Sequence, residues 1–231
     1  MITLGLDTTA KTVTAALLSD GEPLSFFSSE AKTTHSASLL PAIRTLLSSA
    51  SLAPEDVGLF AVSAGPGSFT GVRIGVATVK GLAFGREVPC VGVSSLAALA
   101  ENASRSEGAV LAAMDARRGQ LYTARFTAKD GILIRETPDE ALSAAETAKK
   151  VKEAGCARVT VVGDGAALAA AALEREGIEC LSLHPLLARQ NAYSVALCGY
   201  RSFLAGDFTS AENLTPVYLR GFTGGNTEQK L

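Results

Sequence analysis

The sequence predicts an α/β protein built from two copies of one lobe. Strand-like and helix-like stretches run in the order βββαβαβα in each half of the chain. The first strand of each half closes on an aspartate, Leu6-Asp7 in one and Met114-Asp115 in the other. With 231 residues, 47% of them hydrophobic, the chain can bury the core of one large domain or two small ones.

In the first half, residues 2–7, 12–18 and 23–27 read as strands separated by short turns such as Ser19-Asp20-Gly21. A helix follows over 35–50, with Leu39, Leu40, Ile43, Leu46 and Leu47 on one face. Residues 57–62 form a buried strand. A Gly/Ser-rich turn then leads into a helix over 70–84, a short strand over 90–93 and an Ala/Leu-rich helix over 94–103. The second half repeats this order. Strands fall at 109–114, 120–126 and 132–135, with Lys129-Asp130-Gly131 as a turn, and a helix is expected over 139–154. A strand at 158–162, a helix at 166–176, a strand at 180–183 and a long helix at 188–205 complete it. The expected lobes are 1–106 and 107–222, with the final helix packing back on the first lobe, and 223–231 reads as a polar tail.

Composition excludes several functions. Twenty-one basic residues against 23 acidic ones give a net charge of −2, unlike a chain that wraps nucleic acid alone. The two histidines, His35 and His184, are far apart, which excludes an HExxH metal site. Cys90, Cys156, Cys180 and Cys198 show no metal or redox spacing and point to a reducing compartment. The N-terminus lacks the basic region of a signal peptide, and no apolar run reaches membrane-spanning length. A cytoplasmic location and no membrane partner are expected.

Four stretches could carry chemistry. Asp7, Thr8 and Thr9 fill the first hairpin turn. Their hydroxyls and backbone could hold phosphate, with Asp7 holding Mg²⁺ through water. The same residues also satisfy a tight turn through side-chain to backbone hydrogen bonds, and the missing glycines favour that role. Gly65-Pro66-Gly67-Ser68-Phe69-Thr70-Gly71-Val72-Arg73-Ile74-Gly75 is a sharp turn into a helix capped by Ser68 or Thr70. It is not a Walker A loop, since no Gly-Lys-Ser/Thr follows. Gly71 and Gly75, then Ala77, Gly81 and Gly85, set small-residue ridges along this helix. Interior glycines cost about 0.5–1 kcal/mol each, which implies that something packs very close, another helix being one candidate. Asp115-Ala116-Arg117-Arg118 is the matching hairpin of the second half. Its arginines could meet phosphate or a partner's carboxylates, or simply solvent. Lys149, Lys150 and Lys152 read as the wet face of a helix.

The duplicated halves resemble the two-lobed actin-like ATPase superfold (the ASKHA, ribonuclease H-like fold of actin, sugar kinases and Hsp70). That resemblance implies two lobes facing a nucleotide cleft, but such a fold hosts many functions. Leu6-Asp7-Thr8-Thr9, His35-Ser36 with Leu39-Leu40-Pro41, the Gly65 to Gly75 block, Asp115-Ala116-Arg117 and Pro216-Val217-Tyr218-Leu219-Arg220 together resemble the bacterial TsaB (YeaZ) family along nearly the whole chain. Gln120 departs from the pattern, standing where many members carry Glu.

The resemblance implies a non-catalytic subunit in the synthesis of N6-threonylcarbamoyladenosine (t6A) in tRNA. It would bind the glycoprotease-like paralogue TsaD, the catalytic transferase, and work with the ATPase TsaE. ATP and metal would belong to those partners, tRNA would be met only within the complex, and the isolated chain would form homodimers. TsaD-type enzymes hold a metal with two histidines four apart; Ser95 and Leu99 stand at the corresponding positions here, and neither is such a ligand. A metallopeptidase reading fails on the same point. The implied partner interface is a helical bundle using His35, Leu39, Ile43, Gly67, Phe69, Thr70, Gly71, Arg73, Ile74, Gly75 and Thr78. On that expectation Gly75→Leu spares the fold and abolishes association. The rival reading is an active phosphotransferase of the acetate or sugar kinase type, with Gly163-Asp164-Gly165 as its nearest candidate for an adenosine loop.

Overall fold

A computed structural model describes residues 1–30 and 34–219. The first half forms β1 (Ile2–Asp7), β2 (Val13–Ser19), β3 (Glu22–Ser29), α1 (His35–Ser49), β4 (Val57–Gly65), α2 (Phe69–Ala83), β5 (Cys90–Ser94) and α3 (Ser95–Glu101). The second forms β6 (Gly108–Asp115), β7 (Gln120–Lys129), β8 (Ile132–Arg135), β9 (Glu140–Ser143), α4 (Ala144–Glu153), β10 (Arg158–Val162), α5 (Ala166–Arg175), β11 (Glu179–Ser182) and α6 (Ala192–Leu204). Tail residues 223–231 and Arg220 lie outside the described residues.

The two sheets share one topology. The first runs β3-β2-β1-β4-β5 and the second β11-β10-β6-β7-β8, the same order read from opposite edges. In each, an antiparallel three-strand meander joins two parallel strands through its first member. β1 and β4 are covered on both faces, so both are buried almost without a break, and β4 reads as a largely apolar run rather than an alternating one. β3, at an edge, alternates half-buried and exposed residues instead.

The core is layered. α1 and α2 cover one face of the first sheet, burying Leu39, Ile43, Leu46, Val72, Val76 and Val79 against Leu4, Leu6 and Phe60. α6, from the second half, covers the other face, where Val195 packs with Leu59 and Ala61. This approach is close: a Cβ on Gly5 would stand 2.4 Å from the Ala192 carbonyl oxygen, and one on Gly199 2.4 Å from the Ala61 Cβ. α3 reciprocates, burying Leu96, Leu99 and Ala100 against the second sheet. α4 and α5 close that sheet's far face around Leu111, Val159, Val161 and Leu173. Each fully buried Leu or Phe contributes about 1.5–3 kcal/mol.

Two sequence expectations are corrected. The helix expected over 139–154 begins only at Ala144, because Glu140–Ser143 pairs with β7 as an extra strand. The switch falls at Ser143, whose hydroxyl accepts from the Glu146 N–H at 3.1 Å, while Glu146 returns a bond to the Ser143 N–H at 2.9 Å. The helix expected from 188 starts at Ala192, since the Asn191 side chain caps it by accepting from the Tyr193 N–H at 2.8 Å. Among the described residues, no helix is long and apolar enough to cross a membrane.

Candidate functional site

The strand-end loops of both halves converge on a cleft of about 600 Å³. Thr9, Ala10 and Lys11 of the β1–β2 hairpin and Pro66 to Phe69 of the β4–α2 turn line one side. Asp115 to Arg118 of the β6–β7 hairpin and Asp164 of the β10–α5 turn line the other, and Val217 to Leu219 close one end.

The first hairpin is bound to its own lobe. Asp7 is 1% exposed, and its Oδ1 accepts from the Thr9 N–H at 2.8 Å and the Thr9 hydroxyl at 2.7 Å. Its Oδ2 accepts from the Ser63 hydroxyl at 2.5 Å. Burial pushes the Asp7 carboxyl above the usual range, against the downward pull of these bonds. The Thr8 hydroxyl donates to the Gly71 carbonyl at 2.7 Å, and the Thr9 carbonyl accepts from the Ser68 N–H at 2.7 Å. The hydroxyls proposed for phosphate are thus directed into the lobe.

The glycine-rich block makes this closure possible. A Cβ on Gly71 would stand 1.9 Å from the Thr8 carbonyl oxygen, and one on Gly67 2.6 Å from the Thr9 Cβ. One on Gly75 would stand 2.9 Å from the Thr8 hydroxyl oxygen and 3.1 Å from Val62 Cγ2. The close neighbour that the small residues imply is therefore this lobe's own hairpin and β4. The expectation for Gly75→Leu is corrected accordingly, since a leucine there meets the core. Gly81, further along α2, has nothing within 4 Å of its Cβ position.

The second hairpin faces the cleft. Asp115 is half-buried and accepts from the Arg117 N–H at 2.8 Å, repeating the Asp7–Thr9 turn. Arg117 and Arg118 hold φ of 66° and 56°, a left-handed backbone that side chains rarely adopt. The Arg117 guanidinium pairs with Asp115 at 3.3 Å. Asp164 lies between Gly163 and Gly165 in the β10–α5 turn, a Gly-Asp-Gly sequence like the Gly-Pro-Gly of the β4–α2 turn. Its Oδ1 accepts from the Asp115 N–H at 3.2 Å, and partial burial pushes its carboxyl up.

The expected interface residues separate into three groups. Leu39, Ile43, Gly71 and Gly75 are buried inside the first lobe. His35, Gly67 and Phe69 line the cleft; His35 Nε2 lies 2.9 Å from the Ala10 carbonyl, which only accepts, so that nitrogen carries the proton. Thr70 and Arg73 are exposed on α2, and Ile74 and Thr78 are half-buried beside them. Ser95 and Leu99 are buried, at 0% and 1% exposure. Among the described residues, no group of three His, Cys, Asp or Glu side chains could hold a metal ion.

Sequence reasoning missed Ser63, whose lone hydroxyl follows the apolar run 57–62 and was a legible signal. It also missed the contact of Tyr218 with Arg73, which joins residues 145 apart and leaves no local pattern.

A family model described as TsaD, tRNA N6-adenosine threonylcarbamoyltransferase, matches residues 27–157. The chain is 32% identical to the tRNA threonylcarbamoyladenosine biosynthesis protein TsaB of Escherichia coli, over 94% of each. It is 38% identical to the Bacillus subtilis protein of that name, over 66% of this chain and 67% of the other. A solved structure of YeaZ from Pseudomonas aeruginosa superposes with a TM-score of 0.78 at 31% identity, covering 94% of this chain and 99% of that one. A ROK hexokinase from Thermus thermophilus superposes at 0.52 with 13% identity, covering 89% and 100%, a likeness of fold alone.

Proposed function

The chain belongs to the TsaB (YeaZ) family, with the actin-like ATPase fold and a role in tRNA threonylcarbamoyladenosine biosynthesis, and from that premise we propose that it is a non-catalytic subunit that binds a TsaD-type transferase. The observation that carries this reading is the state of Asp7. The carboxylate that an active lobe would turn to phosphate or metal is instead buried under bonds from Ser63 and Thr9. Ser95 and Leu99, inside the core, offer no ligands in place of a histidine pair. Catalysis, ATP turnover and metal binding then fall to the partners, the TsaD-type transferase and a TsaE-type ATPase. In the isolated chain, a second copy takes the TsaD-type partner's place.

Its contribution is a surface. The outward side of α2 carries Thr70, Arg73, Ala77 and Gly81, residues small enough, Arg73 apart, for another helix to approach within about 8–10 Å between axes. The test is reconstitution of t6A formation from a TsaD-type protein, a TsaE-type protein, ATP, threonylcarbamoyl-AMP and unmodified tRNA. Modification is expected to need this chain; unchanged modification without it would sink the reading. Turnover of ATP onto a small acceptor by the chain alone would favour the phosphotransferase instead.

A further inference from the structure

The segment after α6 crosses onto the first lobe and ends on α2. Cys90 and Thr209 exchange both backbone hydrogen bonds, at 2.9 and 2.8 Å. The Lys80 ammonium donates to the Glu212 carbonyl at 2.9 Å, Leu214 is buried in the first core, and the Val217 N–H donates to the Ala64 carbonyl at 2.7 Å. These contacts deliver Tyr218 to Arg73. The Tyr218 and Phe69 ring centroids lie 5.0 Å apart, and the Arg73 guanidinium carbon sits 3.7 Å over the Phe69 ring. Arg73 Nε donates to the Tyr218 hydroxyl at 2.9 Å. One edge of the guanidinium is thus held and one flat face covered. Its two terminal nitrogens have no hydrogen-bond partner among the described residues.

We propose that this clamp presents Arg73 as a preorganised two-pronged donor for a carboxylate side chain on the partner protein, with Phe69 and Tyr218 as its positioning residues. The proposal rests on the partner reading above. A planar fork matches a carboxylate bidentately, and capturing a side chain that the fold has already ordered avoids most of the usual entropic loss. The surroundings favour a protein acid over an RNA phosphate. Nucleic-acid backbones are gripped by several cations together, whereas the other exposed α2 residues, Thr70, Ala77 and Gly81, are small and neutral, and Lys80 is held on Glu212.

The test is calorimetric titration of a TsaD-type homologue into the full chain and into its Arg73→Ala, Arg73→Lys and Tyr218→Phe variants, with thermal melts verifying each fold. Arg73→Ala is expected to weaken binding by about 30-fold. Arg73→Lys should lose most of that, because an ammonium cannot reproduce the fork, and Tyr218→Phe should lose about fivefold through the Nε bond alone. Wild-type affinity for Arg73→Lys would reduce the site to a simple charge, and wild-type affinity for Tyr218→Phe would remove the clamp. Either overturns the proposal while leaving the partner reading intact. Unchanged protein affinity for Arg73→Ala, with weaker tRNA retention by the assembly, would assign the fork to RNA and overturn it too. Absence of any wild-type binding would overturn the partner reading itself.

Discussion

The two strand-end hairpins, Asp7 to Thr9 and Asp115 to Arg117, occupy equivalent places in the two lobes and have opposite fates. Each opens on an aspartate whose Oδ1 accepts the N–H two residues on, at 2.8 Å in both. In the first lobe Ser63 supplies a further donor, and Gly67 and Gly71 let the β4–α2 turn close over the loop. In the second lobe the Asp115 Oδ2 meets the exposed Arg117 guanidinium at 3.3 Å instead, and the hairpin remains open to the cleft. Duplication preserved the backbone, while a few side chains decided which copy serves cohesion and which faces outward.

The glycines of α2 test this contrast most severely. Gly71→Ala should cost about 3 kcal/mol or more, because its Cβ overlaps the Thr8 carbonyl and backbone must move. Gly75→Ala should cost about 1–2 kcal/mol, since a hydroxyl and a methyl can shift. Gly81→Ala, in open space, should stabilise by about 0.5–1 kcal/mol. Urea denaturation of the three variants checks the order; equal effects at Gly71 and Gly81 would break the contrast.

Much of the fold was legible in the sequence because apolar runs and turn residues report local structure. The strand-end aspartates revealed the repeat, and Lys129-Asp130-Gly131 marked its turn, with φ of 52° at Asp130 and 75° at Gly131. β9 was illegible because Glu140 to Ser143 pairs with β7 through tertiary contact, which local propensity does not encode. The site was legible in its residues but not in their direction. Spacing marked Gly71 and Gly75 as a close contact, yet only the packing of Thr8 says with what. The Tyr218 clamp depends on a chain crossing that no local window contains.

The aspartates should separate next. Ser63→Ala leaves Asp7 Oδ2 buried without its donor and should cost about 1–3 kcal/mol. Asp115→Ala, which removes a half-exposed turn and ion pair, should cost less than about 1 kcal/mol. Similar losses in urea would mean that both hairpins are structural.

A smaller effect lies in the pH dependence. The native Asp7 carboxyl titrates above its unfolded value, so the unfolded chain releases that proton first. Its contribution therefore favours folding below the ordinary carboxylate range and declines as pH rises through the raised native value. In Asp7→Asn the amide can still accept from Thr9 and donate to the Ser63 oxygen. Urea midpoints from about pH 4 to pH 8 should then decline less with pH in the variant than in the wild type. A wild-type midpoint that climbs across this window, with the climb absent from the variant, would reverse the sign assigned to Asp7.

The central claim, that the first hairpin holds the fold and takes no part in chemistry, is tested most directly by Asp7→Asn in the reconstituted t6A assay. The account predicts a rate within about twofold of wild type, since an amide keeps the turn closed. A loss of about a hundredfold or more in a variant that folds and still binds its partner would make Asp7 a reacting group and contradict the account.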